Sequence, residues 1–99
     1  MSKFSIDIDF SHVDLSSLET EEDLRIEAKK LLPAALVQHG EAVALQTWEE
    51  MQKNFSGKLS PAEKRKFIQQ TGKNYQRSAS NREKQELEDH IVEQLRQQK

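Results

Sequence analysis

Apolar residues recur along the chain with two different periods. Over 4–10 the pattern is Phe4-Ser-Ile6-Asp-Ile8-Asp-Phe10, with apolar side chains at every second position. That is the period of a half-buried strand, and Val13 and Leu15 extend it past the break at Ser11-His12. The segment over 1–18 is therefore expected to be an extended β-strand or arm.

From Thr20 the period changes to that of a helix. Thr20 can cap the free amides, and Glu21, Glu22 and Asp23 place negative charge on the positive end of the helix dipole. Leu24, Ala28, Leu31, Leu32 and Ala35 follow at three- and four-residue spacing, and Val37, Ala44, Leu45, Trp48, Met51 and Phe55 make a second stripe. At about 100° per residue the first stripe centres near 40° from Leu24 and the second near 230°. The two face nearly opposite ways. An unbroken helix would have to bury both sides as a central element. Pro33 lacks an amide donor and clashes with the preceding turn, so the pattern predicts two helices over 20–55, broken or kinked near Pro33.

Ser56-Gly57-Lys58 reads as a turn. Ser60-Pro61-Ala62-Glu63 then starts a helix, with a capping Ser, Pro at the first helical position and Glu three residues after the cap. Phe67 and Ile68 are its large apolar anchors. Gly72 suits a left-handed cap, which sets the expected helix at 60–71 and leaves the polar stretch 73–81 as a loop. Ser80 and Glu83 form another capping box, opening a helix over 80–97 with the single stripe Leu87, Ile91, Val92 and Leu95. The expected fold is mainly α: one domain, a small irregular bundle of three to four helices with one extended N-terminal strand or arm.

Composition narrows the class. Leu, Ile, Val and Phe together make 23 of the 99 residues, just above the roughly 20% below which a charged chain is usually disordered. A small core is possible. No apolar run approaches the roughly 18 residues of a membrane span, and Asp7 and Asp9 occupy the place of a signal peptide's apolar region. The absence of cysteine removes disulfide and thiolate chemistry and fits a cytoplasmic location.

The search for catalytic chemistry gives little. Gly57-Lys58 and Gly72-Lys73 lack the pattern of a phosphate loop, no Ser sits in a nucleophile elbow, and His12, His39 and His90 are far apart. Glu86, His90 and Glu93 share one side of a helix, but His90 reads as a solvated helix residue with favourable carboxylate neighbours. No catalytic residue, metal site or cofactor is expected, and no small-molecule substrate.

Charge is the clearest functional signal. The net charge is −2, yet residues 1–56 carry −6, residues 57–84 carry +6 and residues 85–99 carry −2. In the basic segment, Lys64, Arg65, Lys66, Lys73 and Arg77 offer electrostatic or nucleic-acid contacts, and Tyr75 offers a face on which an unpaired base could stack. The same cations could meet an acidic protein or the chain's own acidic half. Phe4, Ile6, Ile8 and Phe10 are the candidate partner-binding residues, because a lone strand edge invites a second chain. The expectation is a non-enzymatic protein-binding protein (a regulator, inhibitor, adaptor or assembly subunit) that acts through its N-terminal strand and apolar helical faces on a protein partner or a second copy of itself. The alternative is a nucleic-acid-binding protein using residues 58–84. A short, cysteine-free, charge-rich chain also suits an accessory protein of a phage or other mobile element.

Overall fold

A computed structural model describes residues 6, 8–54 and 60–98. They form a short 3-10 turn, Leu15–Ser17, and three helices: α1 (Glu21–Asn54), α2 (Pro61–Ser78) and α3 (Asn81–Gln98). The expected mainly helical architecture is present, with three helices. No strand occurs among the described residues. Phe4 and part of the expected strand lie outside them; Ile6, Ile8 and Phe10 lie along an irregular arm.

The helix starts follow the local chemistry. At the head of α1, the Asp23 amide donates to Thr20 Oγ1 at 3.1 Å while Asp23 Oδ2 accepts from the Thr20 amide at 3.2 Å. This is a reciprocal capping box with Asp in the third position. The Glu63 amide donates to Ser60 Oγ at 3.1 Å, and the Glu83 amide to Ser80 Oγ at 3.1 Å. Both predicted caps therefore form.

Pro33 does not divide α1, which runs as one 34-residue helix from Glu21 to Asn54. Pro33 itself is exposed. Its missing amide costs α1 one internal hydrogen bond, a penalty of about 3 kcal/mol. Burial on both sides of Pro33 offsets this. Leu24, Ala28, Leu36, Gly40, Ala44 and Trp48 are all buried, and Leu32 is half-buried between Ala28 and Leu36. Together they make a ridge at four-residue spacing. Each step of four advances about 40° around the helix, so the buried face turns through about 240° between Leu24 and Trp48. The two opposed stripes are thus reconciled by a partner surface that winds around an unbroken helix. α1 is the central element.

That partner surface is α3 followed, toward the other end, by α2. Both run antiparallel to α1. Arg25 and Glu21 of α1 meet Glu88, Asp89 and Arg96 of α3. Gly40 and Trp48 meet Gly72 and Phe67 of α2, and Gln76 Nε2 donates to the Pro33 carbonyl at 3.0 Å. The result is elongated, with extents of 54 × 26 × 24 Å.

The main core lies at the α3 end. Leu18, Leu24, Ala28, Ala35 and Leu36 enclose Leu87, Ile91, Val92 and Leu95, four residues of α3 that are almost completely buried. Ile6, Ile8, Phe10, Val13 and Leu15 pack against this cluster from the arm. Glu88 is buried beside it, at 7% exposure, and is held there by Arg25.

Two expectations for the middle of the chain are corrected. The helix expected to stop at 71 continues to Ser78, and the stretch 73–81 is mostly helical rather than a loop. Gly72 does not adopt the left-handed conformation of a terminator, since no glycine in the described residues has positive φ. It is buried against Gly40, where a side chain would not fit. The helix ends instead where the Ala79 amide closes on the Tyr75 carbonyl at 2.9 Å.

Candidate functional site

The basic residues singled out from the sequence nearly all belong to one 18-residue helix, α2. Its inner side is formed by Ile68, Gly72 and Tyr75, which face α1. Lys66, Lys73 and Arg77, spaced at i, i+7 and i+11, are exposed on the outer side together with Gln69, Gln70 and Asn74. Arg65 is exposed and Lys64 half-buried, both nearer the α1 contact.

The cations of this helix differ from the arginines elsewhere. Arg25 bridges Glu88 and Asp89, Arg82 contacts Glu86 at 3.2 Å, and Arg96 joins Glu93 and Glu21. Among the described residues, no ion pair engages Lys64, Arg65, Lys66, Lys73 or Arg77. The acidic start of α1 is neutralised in part by α3, and α2 lies beside the other half of α1. The fold leaves the positive charge of α2 facing solvent.

Tyr75 does not join that exposed surface. Its hydroxyl donates to Glu83 Oε2 at 2.7 Å, and its ring meets the His39 ring edge-on with centroids 5.1 Å apart. Burial, reinforced by the bond to Glu83, pushes the phenol up to about 12. The tyrosine ties α2 to the first turn of α3. It is a structural residue, and the sequence pattern, which placed it on a polar loop, carried no sign of this.

Shallow clefts flank α2. One, of about 420 Å³, is lined by Glu41, Pro61, Lys64, Arg65, Ile68 and Gln69. The other, of about 430 Å³, lies along Lys66, Phe67, Gln70, Thr71 and Asn74, with Glu63 at its end. The first sets Pro61 and Ile68 beside Lys64 and Arg65; the second sets Phe67 beside Lys66 and Glu63. Ile68 and Phe67 were legible as the helix's apolar anchors; that Pro61 and Glu41 join a cleft depends on how α2 lies on α1.

The arm residues are drawn inward. Ile6, Ile8 and Phe10 are half-buried against the core, and with Leu15 they form one wall of a cleft of about 690 Å³ whose other wall is Gln94, Gln97 and Gln98 of α3. Phe4 lies outside the described residues.

The carboxylates around His90 are otherwise engaged. Glu86 faces Arg82, Glu93 faces Arg96 at 2.9 Å, and His90 Nε2 is 3.0 Å from the Gln94 amide. Among the described residues, no group of three or more His, Asp or Glu side chains is placed to hold a metal ion. No described helix is long and apolar enough to cross a membrane. Comparison with known proteins finds no matching family model, no matching curated protein and no matching solved structure.

Proposed function

We propose that this chain is a small non-enzymatic protein-binding protein, a cytoplasmic regulator, inhibitor, adaptor or assembly subunit that docks through α2. The observation that carries the reading is the set of five cations, Lys64, Arg65, Lys66, Lys73 and Arg77, without ion pairs on a helix flanked by clefts with apolar floors. Positive charge there and negative charge on the first half of the chain would steer an acidic partner to one side of the molecule. The arm contributes by shape. Ile6, Ile8 and Phe10 spend part of their apolar surface on the protein's own core, so the cleft they share with α3 is a secondary contact. A role as an accessory factor of a phage or mobile element suits this size and chemistry.

A second reading, nucleic-acid binding, is favoured by the outer side of α2. There Lys66, Lys73 and Arg77 alternate with Gln69, Gln70 and Asn74, side chains suited to phosphates and base edges. Two observations weigh against it. Tyr75 is not available for stacking, and the chain as a whole is acidic, whereas nucleic-acid-binding domains are usually strongly basic.

The test is a pull-down from lysate with the tagged full chain, with and without nuclease, at low and moderate salt. The expected result is a protein that survives nuclease and is lost with the Lys66→Glu/Lys73→Glu/Arg77→Glu variant. Nucleic acid that co-purifies and dissociates by about 0.2 M salt would favour the second reading, because phosphate contacts release counterions. The Ile6→Asp/Ile8→Asp variant, with helix content followed by circular dichroism, measures what the arm adds.

A further inference from the structure

We infer that the cleft between α1 and α2 is a docking site for an acidic protein segment carrying an apolar anchor. The inference rests on the protein-binding reading and names the chemistry of the partner. The cleft offers about 420 Å³ between Glu41 of α1 and Pro61, Lys64, Arg65, Ile68 and Gln69 of α2. That is within the range of preformed binding sites and large enough for a leucine-sized side chain. Its floor is the Pro61 ring and the half-buried Ile68 side chain. Leu45, 39% exposed, lies one turn along α1 from Glu41.

Charge and the apolar floor together decide which occupant fits. Lys64 and Arg65 stand on the α2 wall, and no ion pair among the described residues engages either. Glu41 stands on the α1 wall. A carboxylate entering the cleft is repelled from the α1 side and drawn to the α2 side, where the Arg65 guanidinium can receive it through two parallel N–H donors. An apolar side chain next to that carboxylate then reaches Pro61 and Ile68. Nucleic acid satisfies only half of this arrangement: phosphate would pair with Lys64 and Arg65, but it brings no aliphatic group for the floor. A segment rich in Glu or Asp with interspersed Leu, Ile or Met satisfies both halves.

The probe is a fluorescein-labelled peptide, Ac-Glu-Leu-Glu-Glu-Leu-Leu-Glu-Glu, titrated with the full-length chain and followed by anisotropy. A second peptide replaces each Leu with Ser at the same charge, and an oligonucleotide of matched charge serves as competitor. The inference expects the leucine peptide to bind, and to weaken by about ten-fold with the serine peptide and again with Lys64→Glu/Arg65→Glu, the scale set by removing an apolar anchor or a charged contact. Circular dichroism confirms that the variant is folded; Arg65→Glu alone, at an exposed position, is the substitute where it is not. Equal binding of the serine peptide, indifference to Arg65→Glu, tighter binding of the oligonucleotide, or no binding of the leucine peptide each overturns the inference. In the lysate experiment, a protein retained equally by Lys64→Glu/Arg65→Glu removes this cleft and leaves the protein-binding reading standing. If no protein is retained by the unmodified chain, the reading itself falls.

Discussion

A Cβ on Gly40 would lie 2.9 Å from the Cα of Gly72, so the backbones of α1 and α2 touch where these two residues cross. The same Cβ would lie 2.7 Å from the Cβ of Tyr75. Neither neighbour is the far end of a flexible side chain. The contact can be relieved only by moving one helix.

Gly40→Ala is accordingly expected to destabilise the fold despite alanine's better helix propensity. The propensity gain is about 1 kcal/mol, and overpacking against backbone costs about 1–3 kcal/mol. A net loss of up to about 2 kcal/mol in urea unfolding is expected, with a change in the emission of Trp48, the chain's single tryptophan, which packs on Phe67 at a centroid distance of 5.7 Å. An unchanged midpoint would mean that α1 and α2 are not held this close in solution.

Pro33→Ala should act in the opposite direction. Pro33 is exposed, so its ring contributes little packing, and alanine restores the amide that α1 lacks at that turn. The Gln76 bond uses the carbonyl and survives the change. A stabilisation of about 1–3 kcal/mol is expected by thermal or denaturant unfolding. A loss would show that the proline imposes a bend the packing requires.

Arg25→Met should release the α3 end of the molecule. Arg25 Nη1 donates to Glu88 Oε2 at 2.9 Å and to Asp89 Oδ1 at 2.5 Å, and Glu88 is otherwise buried. A carboxylate left buried without its cation is costly; with Arg25 partly solvated the expected loss is about 1–3 kcal/mol. The loss should depend on pH. The Arg25 hydrogen bond holds the Asp89 carboxyl below its ordinary value of 3.8. A lowered carboxylate stabilises the fold above that ordinary value and stops doing so as pH falls through the folded one. The gap between wild type and Arg25→Met should therefore be largest near neutrality and close in acid below about pH 4, as read from urea midpoints across pH.

Tyr75 is the chain's single tyrosine, so its ionisation can be followed directly in the ultraviolet. Its phenol should titrate near 12, above the ordinary 10.0, because the hydroxyl is half-buried and donates to Glu83. A raised phenol contributes stability that is complete below about 10 and is lost as pH climbs toward 12. Tyr75→Phe should cost about 1 kcal/mol at neutral pH and remove that alkaline decline. A phenol titrating at its ordinary value would place Tyr75 in solvent and restore it as a candidate stacking residue.

Much of the fold was legible locally because its signals are short-range. Thr20, Ser60 and Ser80 accept the amides that their positions predicted, since a cap needs only three or four consecutive residues. The stripe Leu87, Ile91, Val92 and Leu95 is the buried face of α3, because a short helix with one apolar side can only turn that side inward. The excess of cations on α2 was equally visible as a run in the sequence.

Local signals along the chain set where helices begin, which faces are apolar and how charge is distributed. Tertiary structure decided the rest. It carried α1 through Pro33, because the burial on either side exceeds one lost hydrogen bond. It carried α2 through Gly72, because close approach to Gly40 needs a residue without a side chain there, and that use of glycine looks identical in sequence to a helix stop. It turned Tyr75 inward onto His39 and Glu83, and it brought Arg25 and Arg96 to carboxylates while leaving Lys64, Arg65, Lys66, Lys73 and Arg77 without an ion pair among the described residues. These outcomes depend on residues dozens of positions apart meeting across α1, and no local pattern encodes which of them meet.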